Sequence, residues 1–142
     1  MKKARSMFLL LLLLLLAAQP AAAASKTSQT SKIRITFASA DLVANNHVGN
    51  EWWTGGYVNG KEIAEGSSVT LTVKPTDVIK LKAEAQEQDK YPDNGQANAS
   101  VKASSITKTT DKTLTVNVVE NRGRYSGNTA KWSFTFKIQK VS

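Results

Sequence analysis

The feature that most constrains the fold is an alternation of apolar and polar residues with a period of two. It is clearest at Trp132, Phe134, Phe136 and Ile138, where a single polar residue separates each apolar residue from the next. Successive side chains of a strand point to opposite faces, so this pattern predicts a strand with one buried face. The pattern recurs at Ile33–Phe37, Val69–Val73, Ile79–Ala85 and Leu114–Val118, and weaker strands are predicted at Trp53–Val58, Lys61–Ile63 and Ala97–Ala103.

Turn sequences separate these runs. The strongest is Asn59-Gly60, because Asn-Gly tolerates the positive φ angles of a two-residue hairpin turn. No segment after the N-terminal apolar run has a sustained 3.6-residue apolar period. The sequence therefore predicts an all-β domain, an antiparallel β-sandwich of about eight strands. Further turns are predicted at Glu65-Gly66, Pro75–Asp77, Asp93–Gly95 and Thr110–Lys112.

The N-terminus has the layout of a secretory signal peptide. Basic residues at positions 2, 3 and 5 precede an apolar run, Met7–Ala18, and a small-residue tail, Ala21–Ala24. The run is shorter than the roughly 20 apolar residues that span a bilayer, so cleavage after Ala23 or Ala24 is expected. We therefore predict bacterial export to the cell surface or the extracellular medium.

Cleavage defines the expected domain organisation. Residues 1–24 are the signal peptide, residues 25–31 form a polar, disordered lead-in, and residues 32–142 form a single domain. The exported chain keeps sixteen basic and eleven acidic residues and contains no cysteine. Its positive charge favours an anionic cell-envelope polymer, a polysaccharide or a lipid surface as partner rather than nucleic acid.

Catalytic chemistry has little support in this sequence. The chain has no cysteine and one histidine, His47, which lies in a segment with loop composition. Neither a Ser-His-Asp arrangement nor a zinc site is indicated. A paired-carboxylate hydrolase that uses Glu84, Glu87, Asp89 and Asp93 remains an alternative. The prediction is a protein that is not an enzyme.

The stretch EQDKYPDNG, Glu87–Gly95, predicts a calcium site. Calcium prefers carboxylate and carbonyl oxygens, and Glu87 and Asp89 fall on the same side of an extended chain. Tyr91-Pro92 turns the chain so that Asp93 can return to the same point. Lys90 opposes a cation by like-charge repulsion, and the competing interpretation is a solvated turn.

A second oxygen-rich segment, Asp41–Trp52, bears on the same site. A sandwich gathers alternate loops at one end. We expect Asp41, Asn46 and Glu51 to meet the acidic stretch there, which would give a calcium site built from two loops.

Two stretches together resemble the C2-domain family. IRITFASADLVANNHVGNEWWTGGYVNGKEI is similar to the opening of a C2 domain, and EQDKYPDNG is similar to its acidic loop. The first loop has Asn45 and Asn46 where the family usually has aspartate. The resemblance implies a C2-like sandwich with Glu87, Asp89 and Asp93 as calcium ligands and Glu51 as an addition. An immunoglobulin-like sandwich is the alternative architecture.

Aromatic and lysine residues predict a rival function. Trp52 and Trp53 are adjacent and must point to opposite faces of a strand, with Tyr57 on the side of Trp53. An exposed ring there could stack on a sugar, and Lys80 and Lys82 could meet an anionic polymer. The sequence thus predicts a secreted, non-enzymatic binding module. Its function is calcium binding through the acidic loop, or alternatively binding of a cell-envelope polymer or carbohydrate.

Overall fold

The computed structural model describes residues 29–142, and the expected signal peptide and residues 25–28 lie outside this range. The described chain forms eight strands in two sheets, joined by loops and by two short 3-10 turns. The strands are β1 (Ser31–Asn45), β2 (Trp52–Val58), β3 (Lys61–Ile63), β4 (Ser68–Val73), β5 (Val78–Glu87), β6 (Asp93–Lys102), β7 (Thr110–Val119) and β8 (Thr129–Lys140).

The two sheets confirm the predicted β-sandwich. The first sheet has the order β4-β1-β8-β7 and the second has the order β3-β2-β5-β6, and every pair is antiparallel. Within residues 29–142, the structure contains no helix with the length and apolar character needed to cross a membrane.

The core lies between the sheets and is built from the alternating apolar residues. Phe37 of β1 stacks on Phe136 and Phe134 of β8, with ring centroids 5.3 and 5.8 Å apart. All three rings are buried. The inward-facing residues of β5 are aliphatic except at its last position, Glu87, which is also buried.

The turn between β2 and β3 forms as its sequence predicts. Asn59 and Gly60 have φ angles of 49° and 79°. Positive φ at both central residues is the type I′ arrangement, which matches the twist of the flanking strands.

The expected loop Asp41–Trp52 is wrong over its first five residues and at its last, because Trp52 begins β2. β1 continues to Asn45 because β8 is long enough to pair with it, and Asp41 lies opposite Ser133. The register shifts between Phe37 and Ser39 and again between Leu42 and Ala44. These bulges let one strand bend along the sheet without ending the ladder. The connection from β1 to β2 is residues 46–51.

Two expected turns, Asp93–Gly95 and Thr110–Lys112, are also wrong, since both segments are strand. Asp93 lies opposite Glu87 as the first pair of the β5–β6 hairpin, and Thr110 lies opposite Ile138. Pairing with a formed neighbouring strand outweighs the local preference of Asp, Asn and Gly for turns.

Candidate functional site

The structure brings the acidic stretch and the β1–β2 connection to the same end of the sandwich. The backbone N–H of Gln88 donates a hydrogen bond of 2.7 Å to the carbonyl oxygen of Glu51. Trp52 and Glu87 are the adjoining β-sheet pair. The two connections therefore share one rim, although the side chain of Glu51 is exposed.

Glu87 is a buried carboxylate rather than a loop residue. It is 3% exposed and ends β5. Its side chain packs against Gly49, where an added Cβ would collide with Oε1. Oε2 accepts a hydrogen bond of 3.0 Å from the backbone N–H of Asp89. The carboxylate thus stabilises the turn that follows it and fills the space under the β1–β2 connection.

Asp93 is the second buried carboxylate at this end, and it is also 3% exposed. Its Oδ1 accepts a hydrogen bond of 2.7 Å from Nδ2 of Asn121, and its Oδ2 accepts one of 3.4 Å from the backbone N–H of the same residue. Asp93 therefore connects the β5–β6 hairpin to the β7–β8 connection.

Burial of Glu87 raises its pKa above the ordinary value. The hydrogen bond from the Asp89 backbone acts in the opposite direction, and the negative charges of Asp89, Glu120 and Asp93 raise the pKa further. The ionised form is disfavoured because water cannot reach it and neighbouring charges repel it.

The expected calcium ligands are only partly brought together. Asp41 lies within β1, where it accepts a hydrogen bond from Ser39, four residues short of the strand end. Within residues 29–142, no group of three or more histidine, cysteine or acidic residues is placed to hold a metal ion. Calcium binding at Glu87, Asp89, Asp93 and Glu51 stays a prediction.

A second candidate site lies on the outer face of the second sheet. Trp52 turns inward and packs edge-on against Trp132, with centroids 5.4 Å apart and planes at 64°. Trp53 and Tyr57 therefore point outward on β2, because side chains alternate along a strand. The prediction that the adjacent tryptophans face opposite ways is confirmed.

The outward rings meet over a glycine. A Cβ built on Gly55 would lie 2.7 Å from Cη2 of Trp53 and 3.2 Å from Cε2 of Tyr57. The absence of a side chain at Gly55 lets both rings settle close to the backbone of β2. Together the three residues form an apolar strip along the strand, and both rings are half-buried.

Beside this strip, Glu84 of β5 links a tyrosine and a lysine. The hydroxyl of Tyr57 donates to Oε2 of Glu84 over 3.0 Å. The ammonium of Lys82 donates to Oε1 over 2.7 Å and lies 4.1 Å from the centre of the Tyr57 ring. Both carboxylate oxygens therefore have donors, and the three side chains hold one another in place.

The protonation states of this group follow from these contacts. The hydrogen bond from Lys82 lowers the pKa of Glu84. Burial, together with the hydrogen bond to Glu84, raises the pKa of Tyr57 to about 12. At neutral pH Glu84 is ionised and Tyr57 keeps its proton.

An open cavity of about 260 Å³ lies next to Trp53 on the same face. Its lining includes Trp53, Glu84 and three amide side chains, those of Gln86, Asn94 and Gln96. Nε2 of Gln86 donates to Oδ1 of Asn94 over 2.6 Å, which orders the neighbouring amides. The volume falls just below the ~300–1,000 Å³ range of ligand pockets, which suits a short segment of a longer ligand.

The sequence did not lead us to the amide side chains of the cavity, and the hydrolase alternative grouped Glu84 with the acidic stretch that begins at Glu87. Glu84 faces outward and Glu87 inward, so these two do not form a hydrolase-type pair. The signal was available in β6, where polar residues alternate with small ones from Asn94 to Ser100. That alternation indicates a strand with one amide-rich face. Lys80 lies farther along β5 and is exposed.

No family model matches the sequence, and no curated protein matches it either. The resemblance to the C2 family stays a prediction for this reason.

Proposed function

We propose that this protein is a secreted, non-enzymatic module that binds a polysaccharide on the outer face of its second sheet. The observation that carries the proposal is the apolar strip of Trp53, Gly55 and Tyr57 beside a cavity lined by amides. An aromatic strip next to hydrogen-bonding groups combines the two kinds of contact that a sugar ring needs.

The aromatic strip supports stacking. A sugar ring presents C–H groups on its faces, and these pack against the face of an aromatic ring. Trp53 packs closely on Gly55, and Tyr57 is held by Glu84 and Lys82, so little side-chain freedom remains to be lost on binding. Pre-organisation of this kind raises affinity because the ordering cost is met during folding.

The amide row supports recognition of hydroxyl groups. Gln86, Asn94 and Gln96 each supply a carbonyl oxygen and an N–H group, and hydroxyls both donate and accept. Asn94 and Gln96 are exposed on β6, one strand beyond β5. The face is open at its sides, which suits an extended chain more than a small enclosed molecule.

A pull-down on purified cell wall, with and without high salt, tests this proposal. Stacking and neutral hydrogen bonds should survive salt, whereas capture by surface lysines should weaken. Replacement of Trp53 by alanine should reduce retention roughly two- to tenfold, since aromatic contacts contribute ~0.5–1.5 kcal/mol. The matched control is Tyr125→Ala, which removes an exposed ring in the connection between β7 and β8, away from the outer face of the second sheet.

A second candidate function is weak calcium binding at the acidic end. It is favoured by the burial of two directly opposed carboxylates, Glu87 and Asp93. A bound cation would relieve the repulsion between these groups. Calcium at millimolar concentration should then raise the melting temperature by mass action. An unchanged melting temperature removes this candidate and leaves the polysaccharide proposal untouched.

A further inference from the structure

The overall charge and the local charge of the proposed site point to different ligands. The full chain has a formal net charge of +8, which favours an anionic partner. Among the described residues that line the cavity beside Trp53, however, the one charged side chain is Glu84. The cavity lining therefore carries a carboxylate and no cationic side chain, although the protein as a whole is basic.

The nearest lysine, Lys82, is paired with this carboxylate and does not itself line the cavity. Lys82 is 2.7 Å from Oε1 of Glu84, and this pair is the one salt bridge that the structure shows between residues 29 and 142. The side chains are 34% and 26% exposed, so water only partly screens the interaction. Lys82 is held by the carboxylate and is not free to pair with an anionic sugar.

The remaining lysines of this face are too distant from the cavity to offset the charge of Glu84. Lys80 lies four residues from Glu84 along β5, a separation of about 13 Å, and both point outward. Lys102 lies at the opposite end of β6 from Asn94. At these distances in salt solution, exposed charges are largely screened from the cavity.

We infer that Glu84 determines ligand class, so that the face accepts uncharged polysaccharide and rejects polysaccharide with carboxylate or phosphate groups. This inference rests on the proposed function and adds its specificity. Glu84 repels an anionic group that enters the cavity, and by pairing with Lys82 it removes the cation that would attract one. Loss of the carboxylate should therefore raise the affinity for anionic chains in two ways, because it removes the repulsion and frees Lys82.

The test uses pairs of soluble polysaccharides that share a backbone and differ in charge. Each β-glucan, α-glucan or chitin-derived chain is used in an uncharged form and in a carboxymethylated form, and binding is followed by affinity gel electrophoresis. Wild type should bind at least one uncharged chain about tenfold more tightly than its carboxymethylated partner. Glu84→Gln, which keeps the shape of the side chain, should shrink that ratio about tenfold.

Two further variants separate the effect of the Glu84 carboxylate from a general change in net charge and from the release of Lys82. Asp111→Asn makes the same change in net charge on an exposed position of β7, in the other sheet, and should leave the ratio unchanged. Adding Lys82→Met to Glu84→Gln should abolish the gained affinity for carboxymethylated chains. Circular dichroism and melting curves establish that each variant is folded.

The outcomes distinguish the two proposals. If wild type binds none of these soluble chains, the inference is overturned; if it also fails to bind purified wall, the proposed function fails as well. If wild type binds through Trp53 but shows no preference against carboxymethylated chains, or if Glu84→Gln leaves the preference intact, the inference is overturned and the proposed function stands.

Discussion

The indole ring of Trp53 lies over Gly55, and its Cη2 occupies the region where a side chain at Gly55 would begin, 2.7 Å from an added Cβ. The same position is bordered by the Tyr57 ring at 3.2 Å. One strand thereby carries two aromatic rings on the same face, and both lie close to its backbone at Gly55. This relationship underlies the polysaccharide proposal and makes a specific demand on Gly55.

We predict that Gly55→Ala reduces polysaccharide binding with little effect on stability. The new methyl group would push Cη2 and Cζ2 of Trp53 away from the backbone, and the ring can move because it is the far end of a side chain that is only half-buried. Retention on cell wall should fall several-fold, whereas the melting temperature should change by only a few degrees. Binding equal to that of wild type would show that the close packing of the Trp53 ring on Gly55 is unimportant.

Gly60→Ala is the matched control for that prediction. Gly60 lies in the hairpin turn of the same sheet, and nothing lies within 4 Å of an added Cβ. Its φ angle of 79° makes alanine unfavourable there, so some stability should be lost. Its binding should match wild type, which is the reverse of the pattern expected for Gly55→Ala.

We predict that Asn121→Ala lowers the free energy of unfolding by about 1–3 kcal/mol. The variant deprives the buried Asp93 carboxylate of the donor that lies 2.7 Å from Oδ1. Chemical denaturation should give this difference, and Asn117→Ala at an exposed position of β7 should change stability by less than about 0.5 kcal/mol. Equal effects of the two substitutions would contradict a structural role for the Asp93–Asn121 contact.

The buried carboxylate of Glu87 predicts a distinct pH dependence of stability. Its folded-state pKa is raised above the ordinary value of 4.5. Its contribution is therefore fully present below pH 4.5 and is lost as the pH rises through the folded pKa. Glu87→Gln cannot titrate, so its melting temperature relative to wild type should increase from pH 4.5 towards neutrality.

Glu84→Gln should give the opposite trend. The folded-state pKa of Glu84 is lowered, so its contribution is present above pH 4.5 and is lost as the pH falls through the folded pKa. The melting temperature of Glu84→Gln relative to wild type should thus decrease as the pH rises through that range. Melting curves of both variants at matched ionic strength provide the comparison, and identical trends would be incompatible with the assigned environments.

The strand pattern was largely predictable from the sequence. Alternation at Trp132–Ile138 and the Asn59-Gly60 turn are local signals, and each forms as predicted. The extension of β1 to Asn45 was not predictable in this way, because it depends on pairing with β8 almost a hundred residues later. Turn-forming residues at Asp93–Gly95 misled for the same reason.

The candidate sites were predictable only in part. The opposite orientations of Trp52 and Trp53 follow from strand geometry alone. The hydrogen bonds among Tyr57, Glu84 and Lys82 depend on register between β2 and β5, which puts Tyr57 opposite Lys82. The sequence of each strand alone does not determine that register, because the register depends on which strands pair.

The most direct test of the central claim is to map the bound ligand on the protein by NMR. Uniformly ¹⁵N-labelled protein from residue 25 to 142 would be titrated with soluble, uncharged oligosaccharides of the chains that bind best. We predict that the largest shift changes occur at the Trp53 indole N–H and at the side-chain amides of Gln86 and Gln96. Shift changes confined to the connections that contain Tyr91 and Arg122, or no shift changes at saturating oligosaccharide, would contradict the account.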